Sequence, residues 1–598
     1  MKSEKFASLN RRTIISILII ISAALLGFRL FQMQILNRNS YENKSAGNSI
    51  KSIEKIPLRG VMYDRNMNLL VNNIPAYTIR ITPDRYNKKL NHLLEAVLEV
   101  DSGYIDNILK QYKVYSRFQP IKIKRGVSFD TIAWLEENQE YLPGVDYIVE
   151  MHRDYPAGIN GSHIFGYIKE VSQRQLNKKN NYYNLGDYIG SKGIEKTYET
   201  ELRGKKGWNY VLVDSRRKRI GKYRNGLQDL PAVKGSDIVL SIDEDVQRVA
   251  EEELKGRTGA LVAIEPATGE ILALVSAPEY DLSKFSYITP KDFLQKLYND
   301  PRKPLFNRAT MSVKPPGSTY KILAAIAALD LGVINTSTTF YCNGGLTIGG
   351  RFFKCHGIHG NINVINAIEK SCNSFFYNLI FKIGIDRWAD YSRRFGFGLK
   401  TGIDIGEENA GLIPDSKYYE KIYGPKWPTS IMASLVIGQG ETSVTPLQLA
   451  QFTALIANNG VTYLPHLVKG FIDNTGNVVP YNFKKVDVKI DKKVFDEVKE
   501  GMFLVVNGEG TATHIRSKEY LIAGKTGTAQ NPHGKDHAWF IAFAPYDNPQ
   551  IAVAVLVENV GFGGTYAAPI AKKIIETYLN GLKENSKVLD NSIVRLDN

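Results

Sequence analysis

The chain has 598 residues, too long for one ordinary domain, and its 43% hydrophobic and 23% charged residues are those of a globular protein. The formal net charge of +15 could suggest a nucleic-acid partner. Lys and Arg are spread along the chain without a zinc-finger pattern, so a solvated basic surface is the better account and no nucleic-acid partner is expected.

Thr13 to Phe28 is uncharged and mostly Ile, Leu and Ala. Counted through Leu36, the 24 residues 13–36 make a helix of about 36 Å, long enough to cross a bilayer. Lys2, Lys5, Arg11 and Arg12 precede it against one acid, Glu4, which places residues 1–12 in the cytoplasm and the rest outside. No small-residue cleavage site follows, so the expectation is an uncleaved single-pass anchor rather than a signal peptide.

Residues 37–236 are mixed and polar. They contain I-P-L-R-G-V-M-Y-D-R-N at Ile56–Asn66, a strand at Tyr77–Thr82 and amphipathic helices over 88–140. R-D-Y-P-A-G follows at Arg153–Gly158, then an Asn/Lys/Tyr loop at about 177–188 and G-S-K-G-I-E-K-T-Y-E-T-E-L-R-G at Gly190–Gly204. None of this is catalytic in chemistry, and the region reads as a pedestal. From Asp237 the texture changes to a strand, a helix over Glu244–Leu254 and a hairpin of Gly259–Glu265 with Glu270–Ser276. A long helical region runs to about 460, three strands follow at Leu521–Gln530, Ala538–Ala544 and Ile551–Glu558, and a last helix spans about 567–582. Residues 237–582 are expected to close as one antiparallel five-stranded sheet flanked by helices, and 583–598 to be a polar, unstructured tail.

The chemistry gathers in three places. Ser318-Thr319-Tyr320-Lys321 follows Pro315-Pro316-Gly317 and opens an apolar helix, putting a lysine amine one turn above a serine hydroxyl. Burial would lower the lysine pKa and let the neutral amine take the hydroxyl proton. Alone, S-x-x-K is too short a pattern and is better read as a capped first turn. Ser371-Cys372-Asn373 comes 53 residues on (371 − 318), and Lys525-Thr526-Gly527-Thr528 lies on a strand. Together and in this order the three motifs resemble those of penicillin-binding proteins and class A β-lactamases. R-G-V-M-Y-D-R-N, R-D-Y-P-A-G and G-I-E-K-T-Y-E-T-E-L-R-G resemble the N-terminal module of class B penicillin-binding proteins. G-Q-G-E-T-S-V-T-P-L-Q-L-A at Gly438–Ala450 and D-H-A-W-F-I-A-F-A-P at Asp536–Pro545 are similar to the elongation-specific transpeptidases of that class.

The resemblance implies an α+β fold: a transmembrane helix, an elongated α+β pedestal domain and a transpeptidase domain. It implies a D,D-transpeptidase that cross-links peptidoglycan stem peptides, in a bacterial inner membrane with the catalytic domain in the periplasm. Ser318 would be the acylated nucleophile, Lys321 its base and Ser371 a proton relay. Asn373 would hold the substrate amide, Lys525 with Thr526 and Thr528 the terminal carboxylate, and the backbone N–H groups of Ser318 and Thr528 the oxyanion, with Gly527 part of the same substrate-binding segment. β-Lactams would acylate Ser318. Implied partners are a SEDS-type glycosyltransferase beside the anchor and an MreC-like protein on the pedestal. The rivals are a β-lactamase or β-lactam sensor, a division-specific transpeptidase, and a non-enzymatic scaffold.

All three cysteines, Cys342, Cys355 and Cys372, fall within 31 residues, with His356 and His359 among them. A Cys342–Cys355 disulfide suits an oxidising compartment but leaves Cys372 and the histidines unexplained. The alternative is a structural zinc on Cys342, Cys355, His359 and Cys372, with His356 as substitute ligand. No cofactor is expected for catalysis. Asp536 and His537 either rim the cleft or cap a turn.

Overall fold

The computed structural model describes residues 4–36, 49–111, 117–176, 182–184, 186–214, 219–287 and 289–596. Half of the Asn/Lys/Tyr loop read at 177–188, residues 177–181 and 185, lies outside them. Packing divides the chain into two units, Met1–Arg59 with Arg203–Gly235, and Gly60–Leu202 with Ser236–Asn598.

In the first unit α1 (Glu4–Phe31) continues as a π-helical turn to Leu36. Within it Arg11–Ile35 is long and apolar enough to cross a membrane, with a mean hydropathy of 2.5. The unit also holds a three-stranded antiparallel sheet, whose first strand is β1 (Ile50–Lys55).

The second unit contains two larger sheets. The first begins with β2 (Met62–Tyr63), β3 (Leu69–Ile81), β4 (Ile121–Val127) and β5 (Val145–Asp154), where β3 pairs with each of the others. β4 corrects the expectation of helices throughout 88–140. Its I-K-I-K-R-G-V alternates at period two, burying Ile121 and Ile123. The remaining strands of the small sheet in the first unit, β6 (Gly207–Val213) and β7 (Arg219–Lys222), come next in the chain. β8 (Asp237–Leu240) then pairs in parallel with β2, so the first sheet draws strands from both sides of residue 236.

The R-G-V-M-Y-D-R-N motif fastens this junction. Asp64 accepts the backbone N–H groups of Asn66 and Asn68 at 2.8 and 2.7 Å and that of Glu244 at 3.3 Å. Arg65 lies 2.7 Å from Glu265 and 3.3 Å from Glu270 and donates to the Tyr578 hydroxyl at 3.2 Å. The other two motifs meet in a buried ion pair, Arg153 with Glu195 at 2.7 Å.

α2 (Glu244–Leu254) starts where expected, with Asp243 accepting from the Val246 N–H. β9 (Gly259–Ile264) and β10 (Ile271–Ala277) form the expected hairpin. α3 (Lys321–Asp330) is buried almost all round, as its apolar composition requires. The region to 460 is not helical throughout. Two small antiparallel ribbons interrupt it, Phe340–Cys342 with Gly360–Ile362 and Gly345–Ile348 with Arg351–Lys354. α4 (Val364–Glu369), α5 (Asn373–Ile383) and α6 (Pro446–Ala457) follow. A capping box of Thr445 and Gln448 starts α6, every residue of which is buried.

β11 (Val468–Ile472) and β12 (Val478–Pro480), unforeseen in the sequence, extend the first sheet beyond β8. α7 (Lys492–Asn507) precedes β13 (Ala523–Ala529), β14 (His537–Ala544) and β15 (Ile551–Val557). The second sheet runs β10-β9-β15-β14-β13, antiparallel throughout and five-stranded as expected. Its inner strands are apolar on both faces because α2, α6 and α8 (Ala568–Leu596) pack against them. α8 runs well past 582, so the expectation of an unstructured tail from 583 is corrected as far as Leu596.

Candidate active site

Ser318 lies on a 3₁₀ turn, Gly317–Tyr320, that feeds α3, rather than on the first α-turn. Three contacts hold this turn. The Gly317 N–H donates to the Gly438 carbonyl at 2.8 Å, Thr319 Oγ1 to the Pro316 carbonyl at 2.8 Å, and Trp539 Nε1 to the Pro315 carbonyl at 3.0 Å. Gly317 has φ +58, and a Cβ there would lie 2.6 Å from the Thr528 carbonyl oxygen. β13 therefore passes directly against the Ser318 turn. On β13 Lys525 and Gly527 share one face, and Thr526 and Thr528 the other. Bare Gly527 lets the turn approach: a Cβ at 527 would meet the Pro316 carbonyl oxygen and Thr319 Cγ2 at 2.8 Å.

Lys321 is fully buried. Its Nζ donates to the Ser371 carbonyl at 2.7 Å, Ser371 Oγ at 3.2 Å and Asn373 Oδ1 at 2.5 Å. Lys525, also fully buried, donates to the same Ser371 Oγ at 3.0 Å and to the Thr526 carbonyl at 3.2 Å. The Ser318 side chain is half-buried and makes no hydrogen bond among the described residues. Thus the second and third motifs meet at one hydroxyl, and the lysine of the first joins them there.

Ser371 reaches this point through the end of α4. Its N–H bonds to Ile368 O at 3.2 Å and that of Cys372 to Ala367 O at 2.9 Å, which is a Schellman closure. The left-handed position, normally glycine, is Ser371 itself at φ +55. Held there, a non-glycine residue costs on the order of 1–3 kcal/mol, stored at the residue both lysines contact. Asn373 opens α5, and its Nδ2 donates to the Lys354 carbonyl at 3.1 Å, leaving Oδ1 for Lys321.

Burial lowers the Lys321 pKa to about 8, although the neighbouring Cys355 and Cys372 pull it partly back up. Lys525 is held well below the ordinary lysine value, first by burial and then by Lys321. Two amines sharing one hydroxyl in a dry site disfavour double protonation.

Thr526 Oγ1 meets Thr511 Oγ1 at 2.6 Å, and Thr528 Oγ1 accepts the Gly563 N–H at 3.4 Å. Gln439 Nε2 donates to the Thr528 carbonyl at 3.0 Å, bracing β13 from the G-Q-G segment. Sequence reasoning gave Thr511 and Gln439 no role; only the Gly-Gln-Gly pattern pointed to the latter. His537 is instead the first residue of β14, buried opposite Ala529, with Nδ1 accepting the Asn559 N–H at 3.2 Å. Asp536 accepts the Asn531 N–H at 3.2 Å, and its carbonyl accepts those of Val560 and Gly561. Both residues shape a turn.

The three cysteines are free thiols, all buried. Cys342, Cys355, His359 and Cys372 bring their ligand atoms within 4.8 Å of one another. His359 Nδ1 lies 3.4 Å from Cys342 Sγ and 3.6 Å from Cys355 Sγ, and the sulfurs of Cys355 and Cys372 are 3.9 Å apart. A tetrahedral zinc with bonds of about 2.3 Å to sulfur and 2.0–2.1 Å to nitrogen would space ligands at about 3.8 and 3.5 Å. The donor set and its spacing fit that ion. His356 is exposed and stands outside the cluster.

Residues 259–576 match the family model of the penicillin binding protein transpeptidase domain, and 54–240 that of the penicillin-binding protein dimerisation domain. The peptidoglycan D,D-transpeptidase MrdA of Haemophilus influenzae is 35% identical, over 95% of this chain and 92% of the relative. The chain belongs to the class B penicillin-binding proteins, of the PBP2 type. MrdA of Escherichia coli K12 is 34% identical over 92% of each chain. Among solved structures, PBP2 of Helicobacter pylori in complex with MreC superposes with a TM-score of 0.76 at 28% identity, covering 89% of this chain and 99% of that one. PBP2 of Pseudomonas aeruginosa gives 0.68 at 32% identity, over 88% of this chain and 97% of that one. This penicillin-binding protein is a peptidoglycan D,D-transpeptidase, as the sequence motifs implied.

Proposed function

We propose that this transpeptidase works through an acyl-enzyme on Ser318. The observation that carries the reading is the meeting of Lys321 and Lys525 on Ser371 Oγ beside the Ser318 turn. β13 is an edge strand, so a D-Ala-D-Ala stem peptide can add to it as a further strand. Ser318 Oγ attacks the penultimate carbonyl, and Lys321 as neutral amine takes its proton. The N–H groups of Ser318 and Thr528 stabilise the oxyanion; losing one such donor costs about 3–4 kcal/mol of barrier. Ser371 passes the proton to the departing D-alanine. Asn373 holds the substrate amide, and Lys525, Thr526 and Thr528 bind the terminal carboxylate, next to which Lys525 recovers its charge. An amine from a second stem peptide then attacks the acyl-enzyme to form the cross-link. A β-lactam imitates the dipeptide and leaves Ser318 acylated.

Residues 13–36 anchor the chain in the inner membrane with the basic N-terminus in the cytoplasm and the catalytic region in the periplasm. A SEDS-type glycosyltransferase and an MreC-like protein are its partners. PBP2 of Helicobacter pylori was solved with MreC, and a solved peptidoglycan synthase complex of polymerisation and cross-linking resembles 95% of this chain. Cys342, Cys355, His359 and Cys372 hold a structural zinc that fixes the segment bearing Ser371 and Asn373. The ion takes no part in the reaction.

The test is exchange of a labelled D-amino acid into a D-Ala-D-Ala pentapeptide by purified full-length protein. Ser318→Ala and Lys525→Ala are expected to abolish exchange. Exchange persisting in Ser318→Ala would remove Ser318 from the mechanism.

A further inference from the structure

Positive charge is concentrated in the first unit. Residues 49–59, 203–214 and 219–235, the described residues around the small sheet of the first unit, hold ten Lys and Arg against three acids, a net +7 (10 − 3). The register sorts them further. The sheet order is β1-β6-β7. Lys51 lies opposite Val211, and Val211 opposite Lys222; Val213 lies opposite Arg219. Directly opposed residues share a face, and so do residues two apart along a strand. Lys51, Ile53 and Lys55 of β1, and Asn209 and the buried Val211 and Val213 of β6, are therefore on one face with Lys222 of β7; a shift in the pairing between Leu212 and Val213 brings Arg219, three residues from Lys222, to the same face. It carries four cations and no acid. The single acid of β1, Glu54, is on the opposite face and pairs with Lys206.

All four cations are exposed, as is Ile53 at 39%. Lys51 and Lys222 flank the central strand, about 10 Å apart, and Lys55 is about 13 Å along β1 from Lys51. These spacings exceed the screening length of about 8 Å at physiological salt, so each cation acts on an opposing surface largely on its own and repels its neighbours little. Only 13 residues (37–49) separate the end of the membrane-crossing helix from β1, a reach of at most ~50 Å over 14 Cα steps (50 − 36). The sheet is thus tethered next to a bilayer.

We infer that this basic face binds the anionic phospholipid headgroups of the leaflet it meets, seating the base of the periplasmic region on the membrane. Juxtamembrane Lys and Arg are each attracted to an anionic surface by about a fivefold factor, and the attraction falls off within a screening length. The inference rests on the membrane-anchor reading above.

The test uses the full chain in lipid nanodiscs, one set of phosphatidylcholine and one containing phosphatidylglycerol. Backbone hydrogen exchange is followed in residues 50–58 and 219–235. Several-fold slower exchange in the anionic discs is expected, lost in 0.5 M salt and lost in the K51E/K55E/R219E/K222E variant. Equal exchange in the two bilayers overturns the inference while leaving the anchor reading intact. Slowing that needs an added acidic protein, whatever the bilayer charge, also overturns it. Failure of the chain to enter discs of either composition overturns both.

Discussion

Gly527→Ala tests the close fit of β13 and the Ser318 turn with the smallest possible change. The added Cβ would lie 2.8 Å from the Pro316 carbonyl oxygen and from Thr319 Cγ2, and 3.0 Å from Trp539 Cβ. Ordinary contact begins at 3.4 Å, so the shortfall is 0.6 Å (3.4 − 2.8). None of these neighbours can swing away. Pro316 O is backbone, Thr319 is buried and bonded to it, and Trp539 is buried and bonded to Pro315. β13 and the Ser318 turn must therefore part by about half an ångström. Overpacking of this kind costs about 1–3 kcal/mol of stability. A displacement of about 1 Å at a reacting group costs on the order of 100-fold in rate, so about tenfold is expected here. The assay is the second-order acylation rate with a fluorescent penicillin, alongside the thermal midpoint. Gly534→Ala is the control, since its Cβ would approach nothing closer than 3.4 Å. A Gly527→Ala protein that acylates and melts like wild type would refute the close-packing argument.

The pH dependence of acylation follows from Lys321. The active form is the neutral amine, and burial brings its pKa down to about 8, so the rate should rise about tenfold per unit below pH 8 and level above it. A rate already flat from pH 6 to 9 would remove Lys321 as the base. Metal analysis of the purified chain should find one zinc. Cys372→Ser should lose it and slow acylation, because Cys372 lies between Ser371 and Asn373; a zinc-free protein with a Cys342–Cys355 bridge would contradict the site.

The chemistry was legible wherever it is local. Short motifs pick out Ser318, Lys321, Ser371, Asn373 and Lys525 as candidates, and the structure brings the last four together around Ser371 Oγ; the strands β9, β10, β13, β14 and β15 are marked by apolar runs between turn residues. Long-range geometry was not legible. Lys321 appears in the sequence as the partner of Ser318, three residues away, yet its Nζ is bonded to residues 50 and 52 positions on. No pattern announces that Ser371 takes a left-handed backbone, because serine carries no such preference. β4 was read as helix because Ile and Leu over 88–140 also fit a helical spacing. β11 and β12 are short and partly exposed, with no apolar run to mark them. The cysteine cluster is visible as proximity in sequence, but only the structure shows that the ligand atoms gather in space, at 3.4–3.9 Å.

The most direct measurement is intact mass of the full-length protein after brief exposure to a penicillin, wild type beside Ser318→Ala. The account expects one stable adduct on wild type and none on the variant. An adduct on both would place the nucleophile elsewhere, and one that vanishes from wild type within seconds would make the enzyme a hydrolase.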